Sequence, residues 1–420
     1  MAEQTLKITG GQPLHGEVCV QGAKNSALPM MAAAMLCKDA CVLHNVPQLT
    51  DVWAASRILN SLGCSCVLRD GQAEIRTDGI HSFEIPDEDM RRMRSSIMFL
   101  GPILGRMGAC TLTMPGGCEL GPRPIDLHLD AMRKMGVHIS EQGSRILCRA
   151  EGLHGARITL PFPSVGVSEN VMMAAVLAKG ETVLTNAARE PEIVDIANFL
   201  NQCGAQIHGA GESTICIQGV KGLHGTSYTV MADRIAAITW MCAAAATGGR
   251  ITVSGVNPAD LEAALAALES AGCRLGISGN RIYLDAGRPL RAVRYLRTMP
   301  HPGFPTDGQA IMMAVLACAE GTSVIEETIF ESRFMHVGEL LRMGARIRIS
   351  GHTAVVHGVS HLHGAELSAM DLRGGAALAV AAVGAQGETL LHGLHHIDRG
   401  YENFAETFNS LGGKVQRILF

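Results

Sequence analysis

Six helical segments in this chain end on one signal, and their spacing limits the folds open to it. ILNSLGC closes around Gly63, DAMRKMGV around Gly136 and NFLNQCGA around Gly204. LESAGC, LLRMGA and FNSLGG follow around Gly272, Gly344 and Gly412. The intervals are 73, 68, 68, 72 and 68 residues, so six units account for all 420 residues. Glycine just past a helix enters the left-handed region without the penalty a Cβ would bring. One match would carry little, whereas six at near-constant spacing constitute an internal repeat.

Each unit reads alike. In the first, GEVCVQ is a strand, AKNSALPMMAAAMLC a helix and ACVLHNV a second strand. TDVWAASRILNSLG is a further helix with Thr50 or Asp51 as N-cap, and CSCVLRD and AEIRTDG close the unit as two strands. That is βαβαββ. The Ala- and Met-rich helices, such as ENVMMAAVLAKG and GQAIMMAVLACAEG, are apolar nearly all round, which predicts burial behind sheets. After Gly412 only GKVQRILF remains, one strand where other units have two. The strand-like TLKITGG at the N-terminus is otherwise unassigned and is expected to complete the sixth unit. The fold class is therefore α/β (α+β), with three repeats per domain. One domain spans 15–225 and carries a Gly-rich Cys loop; the other spans 226–420 plus 1–14. Two chain crossings between them favour hinged closure.

Bulk properties exclude several classes. Hydrophobic residues make up 47% and charged ones 18%, a balance that suits a well-buried globular protein. The longest apolar runs fall far short of the roughly 20 residues a membrane span needs, so no membrane insertion is expected. MAEQTLKITGG lacks the basic start and apolar core of a signal peptide. The 13 cysteines then read as reduced thiols in a cytoplasmic protein. No CxxC pairs with a second at zinc spacing and no HxxxH or HExxH pattern falls on a predicted helix, so no metal is expected. A net charge of −4 excludes a broad basic face for nucleic acid. Neither GxxxxGK[ST] nor a convincing GxGxxG after a strand is present.

Against this background the irregular segments carry the chemistry. QGAKNS sets Lys24 and Asn25 before the first helix, where amides and an ammonium form a small anion site. Read alone, that segment favours a solvated lysine. RRMRSSIMFLGP places Arg91, Arg92 and Arg94 before an apolar helix, where the dipole disfavours them and a ligand role gains weight. PGGCELGPRPIDLH holds Cys118 between a Gly-Gly pair and Arg123. A flanking cation and an exposed loop would activate the thiol, and a loop cysteine without a role is an equal alternative. AAREPEIVD offers Arg189, Glu190 and Glu192, the last as a first-turn dipole partner. HPGFPTDGQA puts Asp307 before a buried helix, as an N-cap or a general base. Arg333, Arg373 and Arg399 recur at unit junctions of the second domain.

These segments, with PSVG and HIDRGYE, occur in the order found in the UDP-N-acetylglucosamine 1-carboxyvinyltransferase family of enolpyruvyl transferases, which the chain resembles over its full length. The resemblance implies a two-domain inside-out α/β barrel closing over a cleft. It implies transfer of the enolpyruvyl group of phosphoenolpyruvate to the 3′-hydroxyl of UDP-N-acetylglucosamine, committing the sugar nucleotide to peptidoglycan synthesis. Lys24, Asn25, Arg123, Arg373 and Arg399 would hold phosphoenolpyruvate, where guanidinium forks suit phosphate and carboxylate. Arg94, Arg123, Pro124, Ile125, Asp126, Leu127, Ser164, Val165, Gly166, Asp307 and Ile329 would position the UDP-sugar, together with Asn25. Lys24, Cys118, Asp307 and Arg399 would be catalytic. Asp307 would take the 3′-hydroxyl proton, and Cys118 would act as acid toward the enol C3 or form an adduct with phosphoenolpyruvate. Cys118 would also be alkylated by the epoxide fosfomycin. No cofactor is implied.

The chain departs from the family pattern at Ala236, Ile238 and Phe162, the last where some members have a lysine that reaches the nucleotide. Three rival readings are weighed. The shikimate-phosphate transferases on the same fold lack the cysteine loop. A catalytically weakened, UDP-sugar-binding paralogue would not need Lys24, Cys118, Arg123, Asp307 and Arg399 together. A cysteine hydrolase pairing Cys118 with His128 would leave the arginines without purpose.

Overall fold

A computed structural model of the chain describes residues 4–113, 125–287 and 289–419. The six helix-terminal glycines, Gly63, Gly136, Gly204, Gly272, Gly344 and Gly412, all take positive φ, between 89° and 100°. Each lets the backbone reverse from helix into the following strand, a step that costs an L-residue with a Cβ strain at this φ.

Six sheets form among the described residues, and each combines antiparallel neighbours with one parallel pairing. In one, Cys41–His44 pairs antiparallel with Gln72–Arg76 and parallel with Ser227–Thr229. In another, Arg250–Ser254 pairs antiparallel with Arg281–Asp285 and parallel with His15–Cys19. Gln4–Thr9 lies between Glu388–His392 and Lys414–Leu419, antiparallel to both, with Leu6 opposite Leu391 and Arg417. Leu6 and Ile8 on its inner face are fully buried, the period-2 pattern of a strand with one face on a core.

The described residues up to Gln21 and those from Ala232 onward form one compact unit; those from Gly22 to Met231 form the other. The boundaries read from the sequence, at 15 and 226, differ from this. His15–Cys19 belongs with Arg250–Ser254, and Ser227–Thr229 with Cys41–His44. A parallel neighbour can come from far along the chain, and side-chain alternation carries no record of which strand lies alongside.

In the unit containing the C-terminal half, the helices Arg234–Ala246, Thr306–Leu316 and Leu372–Gly384 pack on one another. Met241, Met313, Leu378 and Val380 are all at most 1% exposed. Each such side chain contributes about 1.5–3 kcal/mol on burial. Two of these helices begin at an aspartate cap. Asp233 accepts from the Ile235 and Ala236 amides at 2.8 and 3.1 Å, and Asp371 from the Arg373 and Gly374 amides, each at 3.0 Å.

In the other unit, Leu100–Met107 packs closely on Val165–Ala175. Gly101 permits the approach, since a Cβ there would meet the Asn170 carbonyl oxygen at 2.3 Å. The Asn170 side chain holds three elements together. Its Oδ1 accepts from the Gly101 amide at 2.7 Å, while its Nδ2 donates to the Ile97 carbonyl at 3.0 Å and His128 Nδ1 at 2.9 Å. Burial holds the His128 imidazole down to a pKa of about 4, so it stays neutral and can accept that bond. Among the described residues no helix is long and apolar enough to cross a membrane.

Candidate active site

In the unit containing Ala232 onward, a charged cluster lies at the starts of the buried helices. The sequence allows Asp307 to be an N-cap or a base. It sits inside the first turn of Thr306–Leu316, where Pro305 holds the cap position, and its carboxylate is turned to two arginines instead. Arg333 donates to Asp307 Oδ1 at 2.5 Å, and Arg373 donates Nε and Nη2 to Oδ2 at 3.1 and 3.0 Å. The two guanidinium side chains are 2% and 4% exposed, the carboxylate 28%. The arrangement is a partly open carboxylate backed by buried cations.

Arg373 is fixed on every side. Its amide is capped by Asp371, its Nη1 donates to Tyr401 Oη at 3.2 Å, and its guanidinium lies over the Tyr401 ring. Tyr401 Oη is in turn 2.7 Å from Thr239 Oγ1 on Arg234–Ala246. Burial pushes the Arg373 guanidinium toward deprotonation, but Asp307, Tyr401 and Asp233 outweigh it and hold the proton more tightly than usual. His336 lies fully buried near Asp371 and Arg333, and desolvation pushes its imidazole down to about 4 against the pull of Asp371.

Ile329 is tied to the same place through Glu327. That fully buried carboxylate accepts from Thr306 Oγ1 at 3.0 Å and from the Ile329 and Phe330 amides at 2.8 and 3.0 Å. Arg399 is half-buried in the turn before Tyr401. Gln21 clamps that turn, donating to the Gly400 carbonyl at 3.1 Å and accepting from the Glu402 amide at 2.8 Å.

In the other unit Lys24 opens the helix Lys24–Ala33, and its ammonium lies 3.3 Å from Asp51 Oδ2, which is almost wholly buried. Neither Thr50 nor Asp51 caps the following helix: Thr50–Ser61 begins after Leu49, with no side-chain cap bond. Asp51 serves Lys24 instead. Asn25 is exposed. Ser26 donates to Asp195 Oδ2 at 2.6 Å, and Asp195 also accepts from Tyr228 Oη at 2.7 Å and the Met231 amide at 3.1 Å. Burial raises the Asp195 carboxyl pKa despite these donors.

Ser164 caps Val165–Ala175, accepting from the Val167 amide at 3.5 Å, and Gly166 faces the His128 ring. Ile125 is buried ahead of Asp126–Lys134, with Asp126 exposed and Leu127 half-buried. Arg94 opens the 3-10 turn Arg94–Phe99. Arg91 and Arg92 close the short helix Asp87–Arg92, so the argument from an unfavourable helix start does not hold for them: the C-terminal end of a helix favours cations. Phe162 is exposed, while Ala236 and Ile238 are buried inside Arg234–Ala246. Cys118, Arg123 and Pro124 lie outside the described residues.

Glu192 stands in the first turn of Pro191–Gln202, as its position suggested. Sequence reasoning passed over its neighbour Glu169. Burial, then Glu192 and Glu190, push the Glu169 carboxyl well above the usual range. Also missed were Asp371, Tyr401 and Glu327, and Asp51 as the partner of Lys24. Two had a signal: Asp371 and Tyr401 flank arginines already singled out, in MDLRGG and DRGYE.

The family model described as EPSP synthase (3-phosphoshikimate 1-carboxyvinyltransferase) matches residues 8–408. UDP-N-acetylglucosamine 1-carboxyvinyltransferase 2 of Caldanaerobacter subterraneus subsp. tengcongensis is 46% identical over 414 residues, 99% of this chain and 99% of the relative. The UDP-N-acetylglucosamine 1-carboxyvinyltransferase of Idiomarina loihiensis is 47% identical and covers 98% and 99%. Among solved structures, the enolpyruvyl transferase NikO from Streptomyces tendae superposes with a TM-score of 0.90 at 24% identity, over 100% of both chains. EPSP synthase from Acinetobacter baumannii gives 0.77 at 20% identity, over 99% and 100%. At those identities the structures speak to the fold alone.

Proposed function

Because the chain belongs to the UDP-N-acetylglucosamine 1-carboxyvinyltransferase family of enolpyruvyl transferases, we propose how its own residues divide the work of that reaction. The reaction itself is transfer of the enolpyruvyl group of phosphoenolpyruvate to the 3′-hydroxyl of UDP-N-acetylglucosamine with release of phosphate, a step of peptidoglycan synthesis. Near-full-length identity to curated relatives carries that assignment, and the shikimate-phosphate and weakened-paralogue readings are not favoured.

Asp307 takes the proton of the 3′-hydroxyl as its oxygen attacks C2 of the enol. The geometry adds a condition. A carboxylate clamped by two guanidiniums is a poor base, so an incoming substrate anion must first draw on Arg373 or Arg333. Binding the phosphate or carboxylate of phosphoenolpyruvate would thereby release Asp307 to act. Cys118 protonates C3 or forms the adduct with phosphoenolpyruvate, and a tetrahedral ketal results. The ketal loses phosphate and a C3 proton to restore the enol ether. Lys24, Asn25, Arg123 and Arg399 complete the anion site, with Asp51 orienting Lys24. Arg94, Pro124 to Leu127, Ser164 to Gly166 and Ile329 position the UDP-sugar.

The finer architecture is part of the same reading: an inside-out α/β barrel of six βαβαββ repeats, three per domain, supported by the six mixed sheets and the six terminal glycines. The work belongs to the cytoplasm, where thiols stay reduced. A phosphate-release assay tests the assignment. Turnover is expected with phosphoenolpyruvate and UDP-N-acetylglucosamine and absent with shikimate 3-phosphate; the opposite result would overturn it. Cys118→Ala is expected to abolish turnover while leaving UDP-sugar binding intact, and full activity in that variant would remove Cys118 from the scheme.

A further inference from the structure

Three cysteines that no step above uses meet in the interior of the Gly22–Met231 unit. Cys37 follows the 3-10 turn Ala34–Leu36, Cys41 opens the strand Cys41–His44, and Cys203 ends the helix Pro191–Gln202. All three are fully buried, and their sulfurs lie within 4.8 Å of one another. Three sulfurs about 2.3 Å from a common centre stand roughly 4.0 Å apart. The observed spacing is therefore within an ångström or so of a closed coordination shell.

The backbone around them is locked. The Lys38 amide donates to the Leu223 carbonyl at 3.0 Å and Thr77 Oγ1 to the Cys37 carbonyl at 2.7 Å, while the His224 amide donates to the Cys203 carbonyl at 3.0 Å. The sulfurs are thus presented by fixed segments rather than by a loop that would have to fold around a ligand.

We propose that Cys37, Cys41 and Cys203 form a buried three-sulfur site for monovalent copper. Softness selects among the thiophilic ions, and coordination number then decides between copper and zinc. Among the described residues no fourth His, Cys, Asp or Glu shares the same spacing. Zinc wants four donors in a structural site, whereas Cu(I) accepts three thiolates in a plane. Binding would release the protons still held by the cluster, so it tightens as pH rises. Its effect is structural: the ion would pin the far end of the helical stretch that Lys24 begins, to the strand and helix that carry the other two sulfurs.

The test uses the full chain, reduced and free of oxygen, with Cys118→Ser as background so that the loop thiol cannot bind. Cu(I) is supplied from its complex with a chromophoric chelator, and copper retained per chain is counted. One equivalent is expected, with X-ray absorption showing three sulfurs around copper and with the Gly22–Met231 unit melting higher. Cys203→Ser and, independently, Cys41→Ser should lower affinity by more than the roughly 10–100-fold that loss of an outer-shell partner costs. Cys64→Ser, at a buried thiol outside the cluster, should change nothing. Undiminished copper in both cluster variants overturns the proposal. So does a two-sulfur copper spectrum in the parent protein, preferential retention of zinc, or a disulfide among the three thiols as purified. The spectrum of the parent decides the matter even where a variant fails to fold.

Discussion

Neutralising Asp307 should destabilise the protein more than removing the arginine it binds. Asp307→Asn keeps the shape but leaves Arg333 and Arg373, 2% and 4% exposed, facing each other without their shared anion. Stripping one partner from a buried pair costs about 3–5 kcal/mol. The retained amide oxygen and the 28% exposure of Asp307 argue for the lower end, about 3 kcal/mol. Arg373→Met preserves volume, and Asp307 keeps both Arg333 and its access to water. The loss is then mainly the bond to Tyr401, about 1 kcal/mol. At about 2–4 °C per kcal/mol for a domain of 150–250 residues, the expected shifts are roughly 6–12 °C and 2–4 °C. Trp240 is buried in the same unit as Asp307, and the chain's other tryptophan, Trp53, belongs to the other unit. A Trp53→Phe background therefore lets Trp240 fluorescence follow the relevant unit during thermal unfolding. An Arg373→Met penalty equal to or larger than that of Asp307→Asn would refute the reasoning, because Asp307 would then not be what holds the buried charges in place.

Other perturbations follow from the same structure. His336 has its pKa lowered from 6.5 to about 4 by burial, so as pH falls between those values the unfolded chain protonates first and stability drops, by up to about 3 kcal/mol. Urea unfolding followed by Trp240 should show a smaller loss between pH 7 and pH 4.5 in His336→Gln, and an unchanged slope would exclude His336 as the cause. Burial, with Glu192 and Glu190, raises the Glu169 carboxyl, so the folded state binds its proton more tightly than the unfolded chain does and stability falls as pH rises above the ordinary carboxylate range. Glu169→Gln should therefore stabilise the protein at pH 8 and have little effect at pH 4; equal effects at both would show that the group is not protonated when folded. Gly374→Ala would set a Cβ 2.6 Å from Asp371 Oδ2 and 3.2 Å from His336 Cβ. Loss of the Asp371 cap should cost about 1 kcal/mol in thermal unfolding, and an unchanged melting temperature would mean that the cap survives.

What the sequence made legible was local. The helix-to-strand reversals were visible because only glycine suits the positive φ they take, as at Gly63 and Gly412. HPGFPTDGQA brought Asp307 forward as a cap or a base, and the resemblance to the enolpyruvyl transferases chose the base. Its partners could not be read there: Arg333 and Arg373 lie 26 and 66 positions away, and nothing in their own segments records the pairing. The same distance effect hid the cysteines. Cys37 and Cys41 alone are too few for a metal site, and Cys203 joins them only because Pro191–Gln202 ends beside their strand. Asp51 was misread for a different reason: its place at a helix start is also where a cap would stand, and only the neighbouring Lys24 distinguishes the two.

The strand pairings also set an order of assembly. His15–Cys19 and Gln4–Thr9 are made before the Gly22–Met231 unit, yet their partners Arg250–Ser254, Glu388–His392 and Lys414–Leu419 come after the whole of that unit. Among the described residues the strands of the intervening unit pair with one another, including Ser227–Thr229 beside Cys41–His44, so it can complete itself during synthesis. Both strands must wait, unpaired, until that unit has been made, and Gln4–Thr9 must wait longer than His15–Cys19. Nascent chains halted once Met231 has cleared the ribosome should thus present residues 4–21 to proteases and chaperones while the unit behind them is already closed, so strands made before that unit find their places only after it.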